Sequence, residues 1–452
     1  MAPTVRSFSA EFEPLGLVAQ YPDIYPGLLE SSAATGPEAG GGRLDILPIS
    51  CGECLRLDAN RRLSGPHAAG AGGFLRALEN WWQALRIPHD ATSLPFAGGW
   101  LLYLGYELAD EIEPRLRLPP SADPVIALAI RAPAAWIRDR RSRRAWVAAE
   151  PGYEGLLERF ADDVRRARAL AIGEAARFEL QEEDPAQFLR SVGRALDYIA
   201  AGDVYQANLS RQWQARSFLP INPASVYKRL RTTNPSPFAA LMRDADFALI
   251  SSSPERLLCV RGGIVSTRPI AGTRPRGASP DRDVALVKSL LGNEKERAEH
   301  VMLIDLERND LGRICVGGSV RVDEYMAVET YAHVHHIVSN VSGLLRDDVS
   351  PIQAICAMFP GGTITGCPKI RCMEIIAELE GTGRGAYTGA VGYLNRDGSC
   401  DLNILIRTIT ARGDTFQFRA GAGIVADSNP AQELAETRAK AEGLLRALSV
   451  GP

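Results

Sequence analysis

The sequence predicts an α+β fold of large antiparallel strands with helices on the outside. Three observations predict it. Strand-like runs come in series, at 204–213, 238–243, 246–252 and 256–267, and again at 335–343, 389–394, 401–411 and 415–425. Two helical stretches, about 281–291 and 293–308, lie next to each other between those series rather than alternating with strands. No internal repeat is present.

The earlier elements follow in order. Residues 33–43 are rich in Gly, Ala and Pro and read as a flexible loop. Residues 97–104 and 125–131 read as buried strands. Arg138 to Arg144 is mostly basic and reads as a solvated turn. Residues 153–181 read as a polar helix bridging an N-terminal region, 1–175, to a second unit, 185–452. In that unit Phe188, Leu189, Val192, Ala195 and Leu196 recur at helical spacing. The last helix starts after Ser428-Asn429, with Pro430 in its first turn.

Composition excludes several classes. The chain has 452 residues, 46% apolar and 23% charged, with a net charge of −3. That balance is globular and does not point to a nucleic-acid backbone. No run of 18 apolar residues exists, so no membrane-spanning helix is expected. Met1 to Phe12 lack the basic start and apolar core of a signal peptide. The 8 cysteines are scattered, which suits reduced thiols and a cytoplasmic setting. Cys51-Gly-Glu-Cys54 has no second ligand pair and reads as two ordinary thiols.

The residues most charged with chemistry are Glu296/Glu299 and Glu433/Glu436. Each pair has i, i+3 spacing, which puts both carboxylates on one helical face. Four such groups converging would suit a hard cation such as Mg²⁺. Taken alone, each pair also fits a solvated helix face. Three further segments stand out. Ser253-Pro-Glu-Arg256 places a carboxylate at a strand edge. Pro269-Ile-Ala-Gly-Thr273 opens a turn-rich loop. Arg419-Ala-Gly-Ala-Gly423 puts glycines in an apolar strand, as where backbone approaches a ligand.

Together with Gly202 to Leu209, Val334-His-His-Ile-Val-Ser339, Gly361 to Lys369, Gly389 to Tyr393 and Ile404 to Thr408, these blocks resemble the chorismate-utilising enzymes. That family includes anthranilate synthase component I, aminodeoxychorismate synthase component I, isochorismate synthase and salicylate synthase. The resemblance is strong over about 185–450. It implies large antiparallel sheets packed face to face with helices outside. It implies Mg²⁺ held directly by Glu299 and Glu436 and through water by Glu296 and Glu433. Glu255 resembles the general acid for a departing ring hydroxyl. Tyr393 and Arg407, with the backbone of Gly421, Ala422 and Gly423, resemble the grip on the enolpyruvyl carboxylate. His336 and Thr363 resemble residues beside the ring. For His336, a satisfied core histidine beside His333 and His335 is the alternative. Thr273 and Lys440 fall among the substrate-binding positions. Ser31, Pro237 and Phe238 resemble the family's tryptophan pocket.

Gln206 stands where water-using members carry a lysine, which implies ammonia as the nucleophile. Ala271 stands where typical aminodeoxychorismate synthases carry a nucleophilic lysine, which favours anthranilate synthesis. The N-terminal blocks, including Leu94 to Glu107, resemble aminodeoxychorismate synthases more closely, whereas Glu436-Thr-Arg-Ala-Lys440 resembles anthranilate synthases. The expectation is aminodeoxychorismate synthesis, with anthranilate synthesis as the alternative and a non-catalytic chorismate or tryptophan sensor as a third reading. The chain shows no amidotransferase arrangement of its own, so a glutamine amidotransferase subunit is the expected partner.

Overall fold

The computed structural model describes residues 2–33, 43–88, 94–170, 177–277, 279–331 and 334–448, apart from the side chains of Thr273, Pro275 and Lys295. Most of the loop expected at 33–43 lies outside these residues, as does His333.

Among the described residues, two antiparallel sheets of 12 and 11 strands carry the fold. The first runs from Thr4–Phe8 at one edge, through Leu44–Ile49, Gly27–Glu30, Phe238–Asp244, Phe247–Ser253 and Thr408–Arg412, to Thr415–Ile424, Gln206–Ser217 and Phe178–Glu182. The second runs from Ile270–Pro275 and Val334–Leu344, through Arg256–Arg261, Cys400–Asn403 and Ala390–Asn395, to Gly99–Leu104, Val125–Ala132 and Cys54–Asp58. Both sheets therefore draw strands from 1–175 and from 185–452.

The sheets pack face to face because alternate residues of each strand are apolar and point inward. Leu101, Tyr103, Leu128 and Ile130 of the second sheet share one buried cluster with Ala240, Met242 and Leu249 of the first. Helices cover the outer faces. Pro223–Thr233 and Pro430–Leu448 bury Val226, Leu230, Ala441 and Leu444 against the first sheet. Phe74–Leu85, Pro351–Met358 and Glu294–Gly312 cover the second.

Three sequence readings change. Residues 256–267 form two strands, because Gly262 and Gly263 both take positive φ and turn the chain into a hairpin. Among the described residues of 153–181 the helix covers Gly155–Arg166, and Phe178–Glu182 is an edge strand paired with Gln206–Ser217. The basic run at 138–144 is not merely solvated. Arg138 and Arg140 fork onto the fully buried Asp45 at 2.6 and 2.8 Å, and Arg140 also reaches buried Glu30. Two carboxylates without water require such partners.

Candidate active site

Glu255 sits in the connection between Phe247–Ser253 and Arg256–Arg261, where the chain passes from the first sheet to the second. Its carbonyl accepts the Ile404 amide at 3.0 Å, which ties it to the segment before Arg407. Burial pushes its carboxyl up to about 7; Thr363, the Ile270 amide, Arg407 and Lys440 act against that trend. Glu255 Oε1 and Thr363 Oγ1 are both buried without a partner in ordinary hydrogen-bond geometry. A carboxyl in this state is a proton donor near neutrality.

Arg407 lies just before the strand Thr408–Arg412 with φ of +52°. That left-handed backbone costs a bulky residue about 1–2 kcal/mol and is held by its surroundings. Here the Ser252 amide donates to the Arg407 carbonyl at 3.1 Å. The guanidinium makes no ion pair among the described residues and feels the charges of Glu255 and Tyr331, while burial pulls its pKa down. An arginine without a carboxylate, in a half-buried setting, is prepared for one from a ligand. His336 is buried beside it. Desolvation first, then the Arg407 charge, hold its imidazole down to about 3, so it is neutral at physiological pH.

The glycine-bearing strand completes the wall. Its ladder to Thr408–Arg412 ends at the pair Ile409–Phe418, which leaves the 420–424 edge toward Arg407 outside that ladder. A Cβ at Gly421 would fall 2.5 Å from Tyr387 Oη, and one at Gly423 would fall 2.7 Å from Gln206 Nε2. The two glycines therefore make room for side chains of this chain as well as exposing backbone. Lys440 donates to the Gly421 carbonyl at 3.0 Å. Ala422 is fully buried between them.

The structure thus gathers Glu255, Thr363, Arg407, His336, Lys440, Gln206 and Gly421–Gly423. Ala271 follows Ile270, whose amide faces the Glu255 carboxyl, and supplies only a methyl group there. The Thr273 backbone pairs with His336; its side chain lies outside the described residues.

One expectation is corrected. Tyr393 does not join this group. It lines a separate cavity of about 320 Å³ between the sheets, with Pro237, Phe238, Arg256, Arg261 and Asp401. Strand alternation turns it to the face opposite the site, and its ring packs edge-on to Phe96. The tyrosine at the site is Tyr387, against Gly421. It is presented by a loop whose Arg384 and Gly385 amides donate to Glu107 at 2.6 and 3.1 Å. Its signal was available in the sequence only as a second tyrosine six residues earlier. Ser31 is buried beside this second cavity rather than among its lining residues; its amide donates to Asp45 at 3.2 Å.

The four glutamates lie on two helices, Glu294–Gly312 and Pro430–Leu448. They are of the right chemistry for a hard cation, yet among the described residues no three His, Cys, Asp or Glu stand close enough to hold one. Glu296 pairs with Arg274 at 2.6 Å and Glu436 with Lys440 at 2.7 Å. Like charges gather only with a counter-ion, and these two have basic neighbours here.

The sequence model of the chorismate binding enzyme family matches residues 56–446. The chain belongs to the chorismate-binding enzymes. It is 44% identical over 364 residues to an anthranilate synthase component I-like protein of Synechocystis, covering 78% of this chain and 73% of that one. It is 42% identical over 395 residues to aminodeoxychorismate synthase component 1 of Bacillus subtilis, covering 84% and 83%. The crystal structure of anthranilate synthase component I from Streptococcus pneumoniae superposes with a TM-score of 0.78 at 31% identity, over 91% of this chain and 94% of that one. The chain is accordingly a chorismate-utilising enzyme. Among the described residues no helix is long and apolar enough to cross a membrane.

Proposed function

We propose that this chorismate-utilising chain makes 4-amino-4-deoxychorismate, using ammonia supplied by a glutamine amidotransferase subunit. The observation that carries the ammonia reading is Gln206, buried against Gly423. A carboxamide has no basicity with which to activate water, but it can line a path for a neutral amine. The relatives' names include "component" enzymes, which supports a partner chain.

Glu255 is the acid. Ammonia adds at C2 of the ring, the C4 hydroxyl takes the Glu255 proton and leaves as water, and 2-amino-2-deoxyisochorismate results. A second ammonia then attacks C4 and expels the first. Ala271 offers no nucleophile, so no covalent adduct forms at that position. Anthranilate synthesis, the second reading, shares the first step and then loses pyruvate; the methyl group of Ala271 favours it. Synthetic 2-amino-2-deoxyisochorismate with ammonium separates the two. Conversion to 4-amino-4-deoxychorismate is expected; release of anthranilate and pyruvate would establish the second reading instead.

A Mg²⁺ requirement belongs to the same proposal, resting on Glu299 and Glu436. It is supported by Glu296 Oε2, which is buried without a hydrogen-bond partner near Gly272. Glu299→Gln and Glu436→Gln are expected to lose turnover and calorimetric Mg²⁺ binding together while melting normally. Near-normal rates at low Mg²⁺ would leave both as surface charges.

A further inference from the structure

Behind Glu255 lies a second carboxyl with no role in the reaction just described. Glu307 is on the inner face of Glu294–Gly312 and is 2% exposed. The charged groups facing it come from three elements: Asp310 on its own helix, Lys369 at the start of Lys369–Glu380, and Glu255. Thr267, on the strand Ile264–Arg268, also reaches it. Burial is the first cause that pushes its pKa up to about 8, so it holds a proton at neutrality. Gly362 packs directly on it, and a Cβ there would stand 3.3 Å from Glu307 Oε1. The next residue is Thr363, whose hydroxyl acts on Glu255.

Three buried polar atoms in this row make no hydrogen bond of ordinary geometry, Glu307 Oε2, Thr363 Oγ1 and Glu255 Oε1, although Thr363 leans on Glu255 and Thr267 on Glu307. Buried polar atoms are satisfied in the great majority of cases, so three on neighbouring residues need a reason. Packing gives none, since glutamate and threonine could be apolar there.

We propose that Glu307 and Thr363 form a relay that returns a proton to Glu255 after each turnover. The inference rests on Glu255 being the acid. Glu255 gives its proton to the leaving oxygen as the C–O bond breaks, and becomes a carboxylate. Thr363 Oγ donates its proton to that carboxylate and takes the proton of Glu307. The Lys369 ammonium, ion-paired to Asp310, offsets part of the charge left on Glu307. The attacking ammonia, once bonded to the ring, carries one proton too many. That proton is released to solvent, and Glu307 takes one back from solvent past Lys369, so the cycle is proton-neutral. Glu307 touches no substrate and acts through Glu255.

Rapid-quench kinetics with chorismate and ammonium test it. Glu307→Gln is expected to keep its first-turnover rate and slow later turnovers by about tenfold or more, giving a burst. Thr363→Val is expected to slow later turnovers more than the first. Equal slowing of all turnovers by Glu307→Gln, or no effect at all, overturns the relay. If Glu307→Gln does not fold, Thr363→Val decides alone: a burst supports the relay and its absence overturns it. Glu255→Gln separates the underlying reading. A preserved first turnover in that variant removes the acid itself, and the relay with it, whereas its loss alongside an unaffected Glu307→Gln overturns only the relay.

Discussion

Glu255 and Arg256 are consecutive residues that serve two different cavities. On the Glu255 side, charge is left unspent. The carboxyl keeps its proton up to about pH 7, Arg407 has no ion pair among the described residues, and His336 is neutral. On the Arg256 side, charge is matched. Arg256 forks onto Asp401 at 2.9 and 3.0 Å and stacks on Phe238. Nearby Glu30 is met by Arg231, Arg140 and the Tyr227 hydroxyl. Unmatched buried charge costs stability and is retained where chemistry or a charged ligand uses it. Matched charge is complete without one.

The largest effect that would break this contrast is at Glu255. Glu255→Gln keeps shape and removes the proton. General acid catalysis is typically worth about 10²–10⁴-fold, so kcat should fall by that order while chorismate binding, read by calorimetry, persists. Lost binding with intact turnover would make Glu255 a positioning group.

pH sharpens the contrast next. Glu255 is a proton donor only below about 7, so kcat at constant free ammonia should fall through one ionisation above that pH. The stability sign is separate. Glu255, Glu107 and Glu307 have folded values raised to about 7, 7 and 8 from 4.5, with burial the first cause in each. The folded chain therefore holds protons that the unfolded chain has released between about 4.5 and 8. The stability these groups contribute is full below 4.5 and is lost as pH rises through 7 to 8. Melting temperatures between pH 5 and 8 should decline, and Glu107→Gln should flatten the slope. A rising profile would mean these carboxyls are ionised in the fold.

On the matched side, Asp401→Asn should leave kinetics near normal and lower stability. Removing one partner strands the Arg256 charge in a partly buried place, worth about 1–3 kcal/mol after discounting for solvent access. Urea titration reads it. A kinetic defect without a stability change would mean the second cavity communicates with the first.

The sequence made much of the site legible because its residues cluster in short motifs. The structure places Glu255 near Arg407 and Lys440, and Lys440 on the Gly421 carbonyl. What stayed hidden depended on geometry. Two tyrosines six residues apart cannot be told apart until the face each presents is known. The pairing of Arg138 and Arg140 with Asp45 joins residues about 93 and 95 apart in the chain. Glu307 reads as one more charge in a charged helix, and only the fold shows it facing inward. The hairpin at Gly262-Gly263 was legible, since a Gly-Gly pair between two apolar runs signals one, and reading 256–267 as one strand passed over it.

The tyrosines give the smallest and most selective prediction. Tyr387 is 7% exposed, and its hydroxyl packs against Gly421. Tyr393 is equally buried but faces the inter-sheet cavity near Asp401, Cys259 and Arg261. Each can lose its hydroxyl without loss of its ring, so Tyr→Phe isolates one polar group. A neutral hydrogen bond contributes about 0.5–1.5 kcal/mol, or about two- to twelvefold in an equilibrium. Tyr387→Phe should raise the KM for chorismate by that factor with kcat little changed, because a carboxylate grip acts in ground and transition states alike. Tyr393→Phe should leave KM and kcat as they are. Measured side by side at saturating ammonium, the two variants assign the grip. An effect confined to Tyr393→Phe would mean that the residue named by the sequence motif, and not its neighbour in space, holds the substrate.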